Sequence, residues 1–168
     1  LTSLEVSGFT FRHADFKGEV LSRPEYQYWS QLLSLRCGRF SSNSESTTIY
    51  FPANTLNPNM TEINLVKLST IENNKLYNLQ TVQPVFETHA DDELIHKLDF
   101  SKWRIIISSY HYLENRTNFD EFIKKINPEV LMLHVCIPGD QLVIPASMNK
   151  LKHLIINDRE FNGLNLSG

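Results

Sequence analysis

Apolar and polar positions recur along the chain in one arrangement, apolar-x-x-apolar-x-apolar, six times over. The copies are Leu1-Leu4-Val6, Leu32-Leu35-Cys37, Met60-Ile63-Leu65, Phe100-Trp103-Ile105, Pro128-Leu131-Leu133 and Leu151-Leu154-Ile156. In the first three, a further apolar residue holds the ninth position: Phe9, Phe40 and Leu68. Such a pattern predicts a short strand whose alternate side chains point inward, preceded by an apolar anchor on the incoming turn. Between central residues the steps are 31, 28, 40, 28 and 23 residues. Stacked structural repeats recur every ~20–50 residues, so the pattern predicts a solenoid, with an insertion at the long step.

The stretches between the copies predict what connects the strands. Residues 14–31 gather Phe16, Val20, Leu21, Tyr26, Tyr28 and Trp29 around Pro24, which divides them into two short pieces rather than one helix. Residues 41–48 are a serine-rich loop, and Ile49-Tyr50-Phe51 offers a short extra strand. Within 69–98, residues 70–79 suit a helix with Ile71, Leu76 and Leu79 inward, 82–86 read as extended, and 90–98 place Leu94, Ile95 and Leu98 at helical spacing. This stretch is either an insertion or a degenerate repeat around Leu79-Val82. The clearest helix runs from Asn118 to Ile126, with Phe119, Phe122, Ile123 and Ile126 in one stripe and Asn118 with Glu121 as a capping-box start. Pro128 stops it, and a strand follows at 130–135.

With 168 residues and 41% hydrophobic composition, the chain is long and apolar enough for one domain with its own core. A net charge of −3 supplies no general basic surface for nucleic acid. No apolar run approaches the ~20 residues of a membrane span. Cys37 and Cys136 lack CxxC or Cys/His companions, so neither a disulfide scaffold nor a cysteine metal site is expected, and Cys37 sits in the inward register as a small hydrophobe. Sequons at Asn59, Asn115 and Asn165 would suit a secreted protein, but a chain this rich in Asn, Ser and Thr acquires such triplets by chance. The expected location is intracellular. The first residues already lie inside a repeat and 161–166 begin another, which suggests a segment of a longer protein.

At this point the chain resembles the leucine-rich repeat superfamily, whose units carry L-x-x-L-x-L-x-x-N/C-x-L. The resemblance departs at the ladder position, which holds Phe9, Phe40, Leu68, Ser108, Cys136 and Arg159, so that only Cys136 conforms. Irregular repeat lengths without an asparagine ladder are similar to the divergent arrays of F-box-associated proteins of fungi and other eukaryotes. The resemblance implies an α/β fold, a short irregular solenoid with parallel strands on a concave face, and a non-enzymatic adaptor or scaffold role in protein binding. In its most specific form the role is substrate recognition in an F-box-type adaptor.

In that register the residues between the inward ones line the concave face. Arg36, Arg39, Lys67 and Arg104 would gather as a basic group for an acidic segment of a protein partner, with Glu62 and Asn64 among them. Ile106, Met132 and Ile155 would supply an apolar anchor beside it.

Other chemistry is thinner. His89, Asp91, Asp92, Glu93 and His96 form the one dense cluster of ligand types, but the acidic trio follows a helix start, where carboxylates favour the dipole. No metal site is expected there. Ser108-Ser109-Tyr110-His111 has no nucleophile elbow and no acid to orient the imidazole, and the scattered glycines form no phosphate loop, so no catalytic residue and no cofactor are expected. The rival reading is a compact α/β enzyme domain with a ligand site at the carboxyl ends of its strands, near Ser108, Cys136 and Asn157.

Overall fold

The inward apolar residue of each repeat meets its counterpart in the next, and seven strands assemble on that contact. The computed structural model describes residues 2–6, 29–37, 51–86, 92–110, 116–135, 142–157 and 164–166. Its strands are β1 (Ser3–Val6), β2 (Ser34–Cys37), β3 (Glu62–Lys67), β4 (Thr81–Val85), β5 (Ile105–Tyr110), β6 (Val130–Val135), β7 (Leu142–Ile144), β8 (His153–Asn157) and β9 (Leu164–Leu166). The described helices are α1 (Leu68–Asn73), α2 (Asp92–Lys97) and α3 (Arg116–Lys125). The main sheet is open, in the order β1-β2-β3-β4-β5-β6-β8, with every pair parallel. The fold is therefore α/β, and the strands of the main sheet lie in chain order, with β7 set aside into a second sheet.

One hydrogen-bond motif repeats at the leading ends of these strands. A single carbonyl accepts two consecutive amides of the next repeat: Thr2 O from Leu33 and Ser34, Leu33 O from Thr61 and Glu62, Thr61 O from Gln80 and Thr81, Gln80 O from Arg104 and Ile105, Arg104 O from Glu129 and Val130, and Glu129 O from Lys152 and His153. The distances lie between 2.7 and 3.2 Å. Each motif fixes the register in which the following side chains meet, so Leu4, Leu35, Ile63, Val82, Ile106, Leu131 and Leu154 form one inward row. Three residues ahead of each, Leu32, Met60, Leu79, Trp103 and Pro128 form a second buried row, and Leu151 extends it half-buried.

This register decides two points. The stretch 69–98 holds a hidden repeat, not an insertion: Leu79 is the anchor, Val82 the inward residue, and β4 lies between β3 and β5. Counted to the true inward residue Ile106, the long interval spans 43 residues and divides into 19 from Ile63 to Val82 and 24 from Val82 to Ile106. The fourth copy is also shifted. Trp103 is the anchor rather than the central residue, and Ile106, expected on the outer face, is fully buried. A continuous run such as Ile105-Ile106-Ile107 has no period of two to reveal its parity, whereas the backbone pairing of Ile106 with Val82 and Leu131 does. Pro84 is absorbed by a bulge in β3 between Ile63 and Val66.

The helices cover the inward face. Ile71 of α1, Ile95 of α2, and Phe122 and Ile123 of α3 join the strand residues in one core. At its centre Phe122 stands 4.9 Å from Phe86, 5.3 Å from Phe100 and 5.9 Å from Trp103, ring centre to ring centre. Near the other end Trp29 meets Phe51 edge-on at 5.2 Å. α3 begins at Arg116, so Asn118 lies inside it and is not its N-cap. α2 is closed by its neighbour: Lys125 Nζ donates to the carbonyls of Ile95 at 2.5 Å and His96 at 3.0 Å, a cation on the negative end of the helix dipole. Helices, which are wider than strand spacing, back only three of the six strand-to-strand steps among the described residues. The sheet shows no curl, so its outer face is not the concave surface expected.

α1 ends in a Schellman turn. Leu76 N donates to Ile71 O and Lys75 N to Glu72 O, with Lys75 at φ 54°. The turn buries Asn74, whose Oδ1 accepts from Thr55 N at 2.9 Å and Leu56 N at 3.0 Å while its Nδ2 donates to Thr70 O at 3.1 Å. This amide ties the segment ahead of β3 to the helix after it. β9, expected to begin another repeat of the main sheet, pairs in parallel with β7 in a second, two-stranded sheet. The possible strand at 49–51 and most of the two pieces expected within 14–31 lie outside the described residues; Phe51 is buried and not in a strand, and 29–31 form a short 3-10 turn in which Trp29 is buried.

Two stability predictions follow from these placements. Ile106→Ala should cost about 2–5 kcal/mol in urea unfolding and Ile107→Ala about 1 kcal/mol or less; the reverse order would contradict the register. Asn74→Ala should cost about 2 kcal/mol or more, because two amides lose their acceptor in a buried place.

Candidate functional site: the outer face of the sheet

The parity that sends Ile106 inward sends its neighbours outward. One outer row runs Ser3, Ser34, Glu62, Thr81, Ile105, Val130, His153 across the paired strands. A second contains Glu5 beside Arg36 and, further along, Ile107 beside Met132 beside Ile155. The face therefore divides. Over β1 to β4 it is polar, and over β5, β6 and β8 it presents Ile105, Ile107, Val130, Met132 and Ile155, half-buried except for Ile155, which is 41% exposed. Phe122, Ile123 and the other buried helix residues pack from the opposite side, and no described helix covers this patch.

The basic group expected on this face is not assembled as such. Arg36 is exposed on β2, but its Nε is ion-paired with Glu62 Oε1, and Glu62 Oε2 also accepts from Ser34 Oγ at 3.1 Å. Asn64 lies half-buried on β3, and Lys67 ends that strand. Arg104 stands three strands away from Arg36, at the leading end of β5. Arg39 lies outside the described residues. Of the apolar anchor, Met132 and Ile155 are on the face and Ile106 is in the core. Ile105 and Ile107 take its place, and the sequence signal for them was the anchor spacing from Trp103.

Beside the apolar patch runs a rim of charge. Arg104, Glu129 and Lys152 each occupy the position just before the first outer-face residue of their strand. Glu129 Oε2 lies 2.7 Å from Arg104 Nε, and Glu129 Oε1 lies 3.3 Å from Lys152 Nζ. The Lys152 hydrogen bond and charge, with the Arg104 guanidinium behind them, hold the Glu129 carboxyl below the usual glutamate range. Lys102 and Lys150 are exposed nearby, Lys102 donating to Asn78 Oδ1 at 3.2 Å. Asp99, the other carboxylate of this end, sits low in pKa because the Ser101 backbone N–H and then its side chain bond it, Lys102 and Lys125 adding to the effect.

Little else gathers chemistry. Among the described residues no three His, Cys, Asp or Glu side chains are placed to hold a metal, and His96 is exposed on α2 while His89 and Asp91 lie outside the described residues. Ser108 falls within β5 and Asn157 ends β8, whereas Cys136 and His111 lie outside the described residues. No described helix is long and apolar enough to cross a membrane.

Because the folded-state pKa of Glu129 is depressed, its pair contributes fully above the ordinary glutamate range and is lost as pH falls through the folded value. A carboxyl NMR titration should show Glu129 ionising below the usual glutamate range, and both Lys152→Ala and Arg104→Ala should raise it. An unshifted Glu129 would mean that the rim does not hold together in solution. Compared with family models, characterised proteins and solved structures, the chain has no significant match in any of the three.

Proposed function

We propose that this chain is a non-enzymatic protein-binding module, a leucine-rich-repeat-like solenoid whose outer sheet face receives the partner. The observation that carries the reading is the continuous apolar area of Ile105, Ile107, Val130, Met132 and Ile155 on the side of the sheet that the described helices leave open. Half-exposed branched side chains on a rigid sheet lose little conformational entropy on contact, which suits them to an anchor. The sequential parallel strands and the repeated anchor-and-inward rows support the solenoid assignment. Arg36 and Arg104 serve as paired charges that shape the surface rather than as a joint acidic-segment receptor. On the residue resemblance alone, the reading extends to substrate recognition in an intracellular eukaryotic adaptor of the F-box type.

Binders selected from a random peptide library against the whole protein test this directly. The double variant Ile107→Asp with Met132→Asp should weaken them at least tenfold, about 1.4 kcal/mol, while Glu121→Lys on α3 leaves them unchanged. Binders indifferent to the outer-face pair would place the site elsewhere.

A further inference from the structure

The leading ends of the strands change character at the same boundary as the outer face. Two positions flank each anchor, one residue before it and one after. At β2, β3 and β4 these are Gln31 and Leu33, Asn59 and Thr61, and Asn78 and Gln80, all exposed and uncharged. At β5, β6 and β8 they are Lys102 and Arg104, Asn127 and Glu129, and Lys150 and Lys152, with all four cations exposed. Charge therefore begins on the strands whose outer face is apolar. The turns 98–104, 126–130 and 148–153 that carry it lie wholly within the described residues. Within them four cations stand against two carboxylates, Asp99 and Glu129, a net charge of +2 with His153 neutral, in a chain whose net charge is −3. Glu129 answers both Arg104 and Lys152, so the surplus sits on the lysines. The turns are also braced: Asn127 Nδ2 donates to Asn149 Oδ1 at 3.0 Å, Asn127 Oδ1 accepts from Lys150 N at 3.0 Å, and Lys102 Nζ donates to Asn78 Oδ1 at 3.2 Å. Cations on braced turns lose less freedom when a ligand meets them.

We propose that the outer face receives an acidic, aliphatic segment of a partner protein, its branched side chains on the patch over β5, β6 and β8 and its carboxylates on the rim of Lys102, Lys150 and Lys152. The inference rests on the protein-binding reading above and specifies the chemistry of the partner. Spacing sets the form of the segment. Strands lie ~4.8 Å apart and rise ~3.3 Å per residue, so the row of Ile107, Met132 and Ile155 is roughly 10 Å from the rim, about three residues of extended chain. Charge sets its composition. A neutral aliphatic segment would cover the patch and leave the lysines facing one another, whereas a plain polyanion would satisfy the lysines and leave the patch in water. A segment with aliphatic residues on one side and acids on the other meets both, the patch giving contact area and the rim steering and register.

The test uses the 168-residue protein and two synthetic peptides that share an aliphatic half, Ile-Thr-Val-Thr-Leu, followed by Glu-Asp-Glu-Asp in one and Gln-Asn-Gln-Asn in the other. In low-salt titration the acidic peptide should bind at least tenfold more tightly. Lys102→Gln with Lys150→Gln should remove most of that advantage, and Lys102→Arg with Lys150→Arg should keep it. Lys67→Gln with Lys75→Asn, which removes the same charge beside β3, should also keep it. Ile107→Ser with Met132→Ser, a change without charge, should weaken both peptides at least fivefold. Equal affinity for the two peptides, lost in the serine variant, overturns the acidic partner and keeps the outer face. An advantage reduced as much by the Lys67 and Lys75 changes as by the rim changes reports overall charge and overturns the proposal. Binding indifferent to the serine variant overturns the outer face and the proposal together. A thymidine oligonucleotide that binds more tightly than the acidic peptide, and loses affinity in the same rim variant, assigns the rim to nucleic acid and overturns the proposal. If neither peptide binds at about 1 mM the proposal falls, and the library selection alone decides the face.

Discussion

A carbonyl that accepts two successive amides from the next repeat is the constraint on which the rest of this structure depends. It recurs at six consecutive steps, from Thr2 to Glu129, with nearly constant geometry. Backbone polar groups must be paired once they leave water, and this device pairs them at the point where each new strand begins. Having fixed where a strand starts, it fixes which side chains face inward, because parity along a strand follows from its first residue. The buried rows, the helices packed against them and the division of the outer face into polar and apolar halves all derive from that setting.

The rows explain how so irregular a sequence sustains so regular a sheet. The residue at the anchor position is Leu, Met, Leu, Trp or Pro, and the connections vary in length, yet the side chains meet at the same level on successive strands. Volume lost at one rung is recovered elsewhere, as where Phe122 from α3 fills the space against Phe86, Phe100 and Trp103. Among the described residues few polar side chains are buried, and Asn74 shows the condition under which one is kept: each of its amide groups is satisfied by backbone.

Much of this was legible in the residues. The anchor spacing located β1, β2, β3, β6 and β8, and helical periodicity located α2 and α3, because in each the apolar positions have one clear period. The misreadings arose where that period was hidden. Three consecutive isoleucines concealed the parity of β5, and around β4, read as extended at 82–86, Pro84 and a short 19-residue step left a degenerate repeat and an insertion equally open. The site was legible only in part for the same reason. Met132 and Ile155 were placed on the correct face, Ile106 was assigned to the wrong side, and the arginines were grouped by sequence register without the carboxylates of Glu62 and Glu129, which only the sheet brings beside them. Asn74 carried no signal beyond being one of many asparagines.

The consequence for function is a surface whose charges are largely internally matched and whose apolar area is not. On the binding role proposed above, recognition would derive its strength from branched aliphatic side chains and its selectivity from the rim at the leading ends of the strands. The inward row is the premise of that arrangement, and methyl-to-methyl NOEs in a sample labelled at Ile, Leu and Val test it most directly. Strands lie ~4.8 Å apart, so adjacent members of the row are within reach and alternate members are not. The structure predicts an unbroken series from Leu35 through Ile63, Val82, Ile106 and Leu131 to Leu154, with Val82 joined to both Ile63 and Ile106. Direct contact between Ile63 and Ile106, with Val82 absent from the series, would contradict it.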